Sequence, residues 1–330
     1  MKSKNKNTIN ILITGCAGFI GYHLCYHLLK NKGIFIFGLD NLNNYYDVQL
    51  KKNRLKNLNK FNNFFFNRTD ISKFNDLKKI FDKNKIEFVI HLAAQAGVRY
   101  SISNPDIYFQ SNMLGFFNMI ELSRLNKIKH FIYASSSSVY GASNKYPLDE
   151  NLSTSKPINF YGATKKSNEI ISYSYASVYN LPVTGLRFFT VYGPFGRPDM
   201  SLFKFTEKIL NNKKIDIYNN GNHVRDFTYI DDVVVAISKL ITKPSKKKIP
   251  YNIFNIGSNN PKKLSHFIEL IEKTLDKKSK KNYLALQKGD IFKTHAKITK
   301  INKKIMFKPK IQIEDGIKNF IKWFKNYYNY

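Results

Sequence analysis

The first half of the chain alternates short apolar runs with longer amphipathic stretches. The runs INILIT, IFIFGLD, FFFN, FVIHLAA, HFIYASS and VTGLRFF have strand length and read as buried strands, and the segments between them have helical length and period. Buried strands alternating with helices predict an α/β class, a doubly wound parallel sheet with helices on both faces. After Arg187 the rhythm loosens. YGPFGRPDM is turn-rich, SLFKFTEKILNNK reads as a helix, VRDFTYIDDVVVAISKLI as a strand feeding a helix, TKPSKKKIP as a surface loop and IEDGIKNFIKWFKNYYNY as a terminal helix. There is no internal repeat and no structureless linker, so a smaller C-terminal lobe is expected to be interwoven with the first.

Composition changes this picture in two places. A hydrophobic content of 43% excludes general disorder, and 330 residues suffice for one large α/β domain or two lobes sharing a core. The formal charge of +31 raises nucleic-acid binding as a function. The excess is almost all lysine, however, scattered from Lys2 to Lys325 rather than clustered, so no nucleic-acid partner is expected. An anionic substrate would still be drawn in by such a field. Cys16 and Cys25 form no CxxC and no disulfide framework, which favours a reducing compartment. The basic start followed by an apolar run imitates a leader peptide, yet three glycines break the run. With no apolar stretch long enough to cross a membrane, a soluble, cytoplasmic protein is expected.

Those three glycines, Gly15, Gly18 and Gly21, stand between a strand-like and a helix-like run in ILITGCAGFIGYHL. Glycines there let the chain turn tightly and bring backbone N–H groups to a pyrophosphate at a helix N-terminus. Asp40, closing the second apolar run, lies at the spacing of roughly 20 residues expected of an acid that bonds a ribose hydroxyl pair. Its charge repels a 2′-phosphate, which favours NAD over NADP. Cys16 lies in this loop without a partner base and reads as packing. His23 and His27 share a helix face but have no third ligand, so no metal is expected, and His91 reads as packed against the same fold.

Tyr161 and Lys165 are four apart and share a helix face. Spacing alone is uninformative: with 21 tyrosines and 47 lysines, chance gives about three such pairs, and Tyr26 and Lys30 form another. Context separates them, because the hydroxyl run SSSSVYG precedes Tyr161 and nothing similar precedes Tyr26.

Taken together, the chain resembles the extended short-chain dehydrogenase/reductase family, specifically its nucleotide-sugar epimerases. The likeness runs from TGCAGFIG through HLAAQAGVRYS, SSSSVYG, YGATK, RFFTVYGPFGRPDM and RDFTYIDD to GIKNFIKWF. DNLNNYYD, AAQAGVRYS and GRPDM are most like the UDP-glucuronate 4-epimerase wording. The resemblance implies a Rossmann-like NAD-binding domain over residues 1–190, with 225–242 returning to it, and a mainly UDP-sugar-binding lobe over 191–330. It implies Ser136, Tyr161 and Lys165 as catalytic residues, and a tightly bound, unconsumed NAD touched by Gly15, Gly18, Phe19, Ile20, Gly21, Asp40, Asn41, Asn44, Asp70, Ile71, Gln95, Asn112, Tyr161 and Lys165.

Hydride removal from a secondary alcohol requires a base on its hydroxyl proton. Bringing a tyrosine from about 10 to about 7 takes about 4 kcal/mol, which one cation about 4 Å away can offer at an effective dielectric near 20. Lys165 is expected to be that cation, helped by the nicotinamide charge, while Ser136 holds the sugar oxygen.

The residues after Ser136 narrow the reaction. Related dehydratases carry Asp and Glu there and related decarboxylases tend to have a glutamate, whereas this chain has Ser137 and Ser138. In the resemblance Ser137, Ser138 and Thr190 hold a C6 carboxylate with Arg197 nearby. Arg225 grips the diphosphate, Asp290 the uridine ribose, and Arg99 is either a further anion contact or a surface salt bridge. Gln287 departs from the arginine common in the galactose epimerases. The expected activity is interconversion of UDP-glucuronate and UDP-galacturonate for cell-surface polysaccharide synthesis. Alternatives are UDP-glucose or UDP-N-acetylglucosamine epimerisation, UDP-glucuronate decarboxylation, or a non-catalytic NAD-binding regulator. The family implies a homodimer formed through the helices of NPDIYFQSNMLGFFNMIELSRL and GATKKSNEIISYSYASVY.

Overall fold

A computed structural model describes residues 8–330; the basic start, residues 1–7, on which the leader-like reading partly rests, lies outside the described residues. The six apolar runs form β1 (Ile9–Thr14), β2 (Ile34–Asp40), β3 (Phe64–Arg68), β4 (Phe88–His91), β5 (His130–Ser136) and β6 (Val183–Phe188). Between them lie α1 (Phe19–Leu29), α2 (Val48–Leu58), α3 (Phe74–Lys83), α4 (Tyr100–Ser103), α5 (Pro105–Tyr108), α6 (Gly115–Leu125) and α7 (Phe160–Tyr179). All six strands pair in parallel in the order β3-β2-β1-β4-β5-β6.

Side-chain alternation along β1 explains why both faces are covered. Ile11 and Ile13 join the core beneath α1, and Leu12, pointing the other way, joins the core under α3, α6 and α7. β3 departs from the expectation of a buried strand: it is the sheet edge, and Phe65 is largely exposed beside Phe37.

The second half contains β7 (Thr190–Tyr192), α8 (Ser201–Leu210), β8 (Lys214–Tyr218), β9 (Val224–Arg225), β10 (Phe227–Tyr229), α9 (Ile230–Leu240), β11 (Tyr251–Ile256), β12 (Lys262–Lys263), α10 (Leu264–Leu275), β13 (Lys280–Leu284), α11 (Thr299–Ile305) and α12 (Ile313–Tyr328). The strand read from VRDFTYIDD is broken at Asp226. β9 pairs antiparallel with β12 and β10 parallel with β7. The break is built around the buried Asp226 carboxylate, which accepts backbone N–H bonds from Ser258 (2.6 Å), Asn259 (3.0 Å) and Ala296 (2.9 Å). α9 returns to pack on α1. β11 also returns, pairing with β6 as the seventh strand of the main sheet, a crossing that the looser rhythm of this half concealed.

Two further features position the site. A π-helical turn, Phe109–Leu114, separates α5 from α6 and turns Ser111 and Asn112 toward the loop after β4. α7 starts at Asn159, whose side chain accepts from the Gly162 N–H at 2.8 Å and so fixes the first turn, where Tyr161 sits.

Candidate active site

The C-terminal ends of the parallel strands open into a cleft of about 920 Å³ that runs from the glycine loop to the second lobe. At one end Gly15 takes φ +71°, and its carbonyl accepts from the Gly18 N–H at 2.9 Å. A Cβ at Gly21 would meet that carbonyl at 2.0 Å, and one at Gly15 would meet the Ala93 nitrogen at 2.8 Å, so α1 can begin this close to β1 only with glycine. Phe19, Ile20, Asp40, Asn41 and Ile71 line the same end. The Asp40 carboxylate accepts from the Ala17 (3.1 Å) and Leu42 (2.9 Å) N–H groups, and burial raises its pKa.

Three residues expected at the cofactor are not among those that line the cleft. Asn44 is exposed and outside the cleft lining; its neighbour Asn43 lines the cleft instead and is held by the Lys51 ammonium at 2.8 Å. The Asp70 carboxylate faces away from the cleft lining, bonded to Asn41 (3.0 Å) and to Ser72 (N–H 2.9 Å, hydroxyl 2.8 Å). Asn112 is buried behind the cleft, where it exchanges two bonds with the Gln95 backbone (2.8 and 3.0 Å) and donates to Thr164 on α7 at 3.1 Å. It therefore joins the Gln95 loop to the helix that carries Tyr161. The Gln95 side-chain nitrogen Nε2 is buried in the cleft lining, with no hydrogen-bond partner among the described residues.

In the middle of the cleft stand Ser136, at the end of β5, and Tyr161 and Lys165 on α7. The Tyr161 ring packs edge-on against Tyr108, and its backbone N–H donates to the Ser101 hydroxyl at 3.2 Å. Burial raises the phenol pKa; the Ser136 hydroxyl and the Arg197 charge pull it back down. Lys165 stands one turn beyond Tyr161 on α7. Its ammonium donates to the Ala134 carbonyl at 2.8 Å and lies 5.9 Å from the centre of the Tyr161 ring. Burial lowers its pKa to about 7. Arg197 is a further cation that acts on Tyr161.

Ser137, Ser138, Thr190 and Arg197 line the same cleft. Asp199 takes Nε (2.9 Å) and Nη2 of Arg197 and accepts from the Tyr45 hydroxyl at 3.1 Å, which leaves Nη1 for a ligand. At the far end Arg225 donates to the carbonyls of Val224 (3.1 Å) and Phe292 (2.9 Å), and burial lowers its pKa to about 10. Arg99 stacks 4.1 Å over the Tyr218 ring and pairs with Asp290 at 3.0 Å, and all three residues line the cleft. Gln287 is not among the lining residues.

Sequence reasoning missed three supporting groups. Glu169 is buried one turn beyond Lys165, bonded to Arg187 (2.8 and 2.9 Å) and to the Ser135 hydroxyl (2.7 Å) beside Ser136. Its spacing of four from Lys165 and eight from Tyr161, on one helix face, was the available signal. Lys51 and Arg54 are also buried, within a run that reads as a solvated helix face. Of the remaining expectations, Cys16 is buried and its thiol pKa is raised, which fits packing. His23 bonds the Pro194 carbonyl (2.8 Å) and His91 the Thr14 hydroxyl (2.8 Å).

Residues 11–257 match the profile of the NAD dependent epimerase/dehydratase family, about three quarters of the chain. The chain belongs to that family. The chain is 49% identical to Protein CapI of Staphylococcus aureus over 97% of this chain and 99% of that one. It is 44% identical to the UDP-glucuronate 4-epimerase of Thermodesulfobacterium geofontis, covering 95% of each. The UDP-glucuronic acid 4-epimerase of Bacillus cereus, solved with UDP-glucuronic acid and NAD, superposes with a TM-score of 0.91 at 34% identity, over 97% of this chain and 100% of that one. The Rossmann-like sheet is thus the epimerase fold, and as a member of an NAD dependent family the enzyme takes NAD as its cofactor. The glycine crossing and the unpartnered Gln95 amide fit such a dinucleotide along the cleft.

Proposed function

We propose that this enzyme is an NAD-dependent UDP-sugar 4-epimerase acting on UDP-glucuronate to give UDP-galacturonate. The observation that carries the reading is the convergence, in one cleft, of Ser136, Tyr161 and Lys165 with three hydroxyls and a guanidinium suited to a carboxylate. NAD bound in this cleft would supply the acceptor for the C4 hydride and would not be consumed. The protein's part is proton handling and restraint. The sugar's C4 hydroxyl bonds Ser136 and gives its proton to the Tyr161 oxygen, then takes it back. Ser137, Ser138, Thr190 and Nη1 of Arg197 fix the C6 carboxylate. That restraint matters because a 4-keto uronate is a β-keto acid, which loses carbon dioxide if the carboxylate is free to align. Arg225 holds the diphosphate and Asp290 the uridine ribose, which requires the Arg99–Asp290 bridge to open or share its carboxylate. Lys165 and Asp40 bond the two riboses of the dinucleotide, Gln95 the nicotinamide half and Ile71 the adenine.

Purified protein incubated with UDP-glucuronate, without added cofactor, should yield UDP-galacturonate on chromatography. Release of carbon dioxide would make it a decarboxylase. Turnover of UDP-glucose or UDP-N-acetylglucosamine alone would move the assignment to a neutral sugar.

In this reading residues 1–190, 225–242 and the strand β11 form the NAD-binding domain, and the rest of 191–330 the UDP-sugar lobe. Ile107, Phe109, Leu114 and Phe117, with Ile170 and Tyr173 on α7, are exposed, and these helices suit a homodimer interface. Light scattering should give twice the chain mass for the wild type and a monomer for Ile170→Glu; a monomeric wild type would remove the dimer. Among the described residues no helix is long and apolar enough to cross a membrane. Two unpaired, buried thiols support a cytoplasmic location.

A further inference from the structure

Arg54, on α2, is completely buried, and among the described residues it makes no ion pair with a carboxylate. Its guanidinium donates to four oxygens: the Ala17 carbonyl (2.8 Å), the Tyr46 hydroxyl (2.8 Å), the Phe195 carbonyl (2.6 Å) and the Gly196 carbonyl (3.4 Å). These belong to the two loops that matter most to the cleft. Ala17 lies in the glycine loop, and its own N–H donates to Asp40. Phe195 and Gly196 immediately precede Arg197 in the turn between β7 and α8.

Burying a guanidinium without a counter-ion carries a desolvation cost that an apolar side chain of the same volume avoids. What the apolar chain cannot do is hold two loops at once. The planar fork of arginine can, because its N–H groups point in several fixed directions, whereas a lysine is a point charge that reaches one loop or the other. The substrate-side loop needs such a hold. Phe195 is a bulky residue at φ +53°, a conformation that persists only where the surroundings impose it. A second pin from the dinucleotide half, His23, bonds Pro194 one residue earlier.

We propose that Arg54 is a positioning residue that ties the placement of Arg197 to the cofactor loop, and so sets the preference for a sugar bearing a carboxylate. The second half of that statement rests on the reading of Arg197 given above. Arg54→Lys separates the two loops while keeping the charge. The expected result is a rise of about tenfold or more in KM for UDP-glucuronate, with a smaller change in kcat. The Kd of UDP, which occupies only the Arg225 and Asp290 end, stays within about twofold. In hydrogen exchange without any sugar, the amides of residues 15–21 and 193–199 lose protection together. Should that variant not fold, Tyr46→Phe frees one N–H of the same guanidinium, leaves the core filled and gives the same pattern at about threefold. An unchanged KM with unchanged exchange in both loops overturns the proposal, and so does an equal rise in KM and in the Kd of UDP, which marks general distortion. If the wild type ignores UDP-glucuronate while the variant still loosens both loops, the coupling stands and the substrate preference falls.

Discussion

Tyr161→Phe should lower kcat about a thousandfold or more and leave the bound NAD in place. Without the phenol oxygen no protein group in the cleft is placed to take the C4 proton, and positioned acid–base catalysis contributes about 10²–10⁴-fold. The ring itself stays: its contact with Tyr108 and the backbone bond to Ser101 do not involve the oxygen. Asp40 and the glycine crossing are untouched, so cofactor released by denaturing the variant should match the wild type in amount. Turnover within about tenfold of the wild type would remove Tyr161 from the chemistry. The pH dependence of the same assay separates the cations. Lys165, lowered to about 7 by burial, is about half charged at neutral pH, and its charge on the site is lost as pH rises through that value. Arg197 stays charged throughout and continues to favour the phenolate.

How much of this was legible in the sequence differs from residue to residue for physical reasons. Most of the first six strands announce themselves because strands buried on both faces are largely apolar; β3 carries the same apolar run although it is the sheet edge and exposes Phe65. β11 is buried like most of them but carries Asn252 and Asn255, and the Asn255 amide is satisfied by the carbonyls of Leu148 and Lys297 and by the Tyr140 hydroxyl, all far along the chain. The glycine loop, Asp40 and the Tyr161–Lys165 pair are legible because their chemistry depends on local spacing. The environment of a charge is not local. Nothing in KKNRL distinguishes Arg54 from a solvated arginine, and the same apparent solvation hides Glu169, which pairs with Arg187 from a neighbouring strand. Lys165 shows the same limit: helical spacing puts it near Tyr161, while burial and the Ala134 carbonyl decide where its ammonium points and how basic it is. Asn112 shows the converse: the resemblance put it at the cofactor, and its bonds serve the loop behind the cleft.

Acid should destabilise this protein well above the pH at which ordinary carboxylates titrate. His91 and His130 are buried and neutral, with pKa values lowered by burial to about 3 and about 4. Both are hydrogen-bonded as neutral rings, His91 to Thr14 and His130 to Thr184 (2.8 Å) and the Ile241 carbonyl (3.0 Å). In the unfolded chain each takes a proton near pH 6.5, so below that value the unfolded state binds more protons than the folded one. Their contribution to stability is therefore complete above pH 6.5 and is lost as pH falls from there toward 4 and 3. Each histidine loses about 1.4 kcal/mol per pH unit over this range, on the order of 2 kcal/mol at pH 5 and about 4 for the two together, a large share of the net stability of a folded protein. His23, lowered to about 4, adds in the same direction. Asp40, Asp226 and Asp232, whose pKa values burial raises, act in the opposite direction, so one variant is needed to isolate the histidine effect. His130→Gln keeps a donor for Ile241 and cannot titrate. Its stability deficit against the wild type in denaturant melts should shrink by about 2 kcal/mol between pH 8 and pH 5. The shift should survive high salt, since burial rather than a screened surface charge causes it. A deficit that stays constant across that range would mean the imidazole is already protonated, or already exposed, in the folded protein.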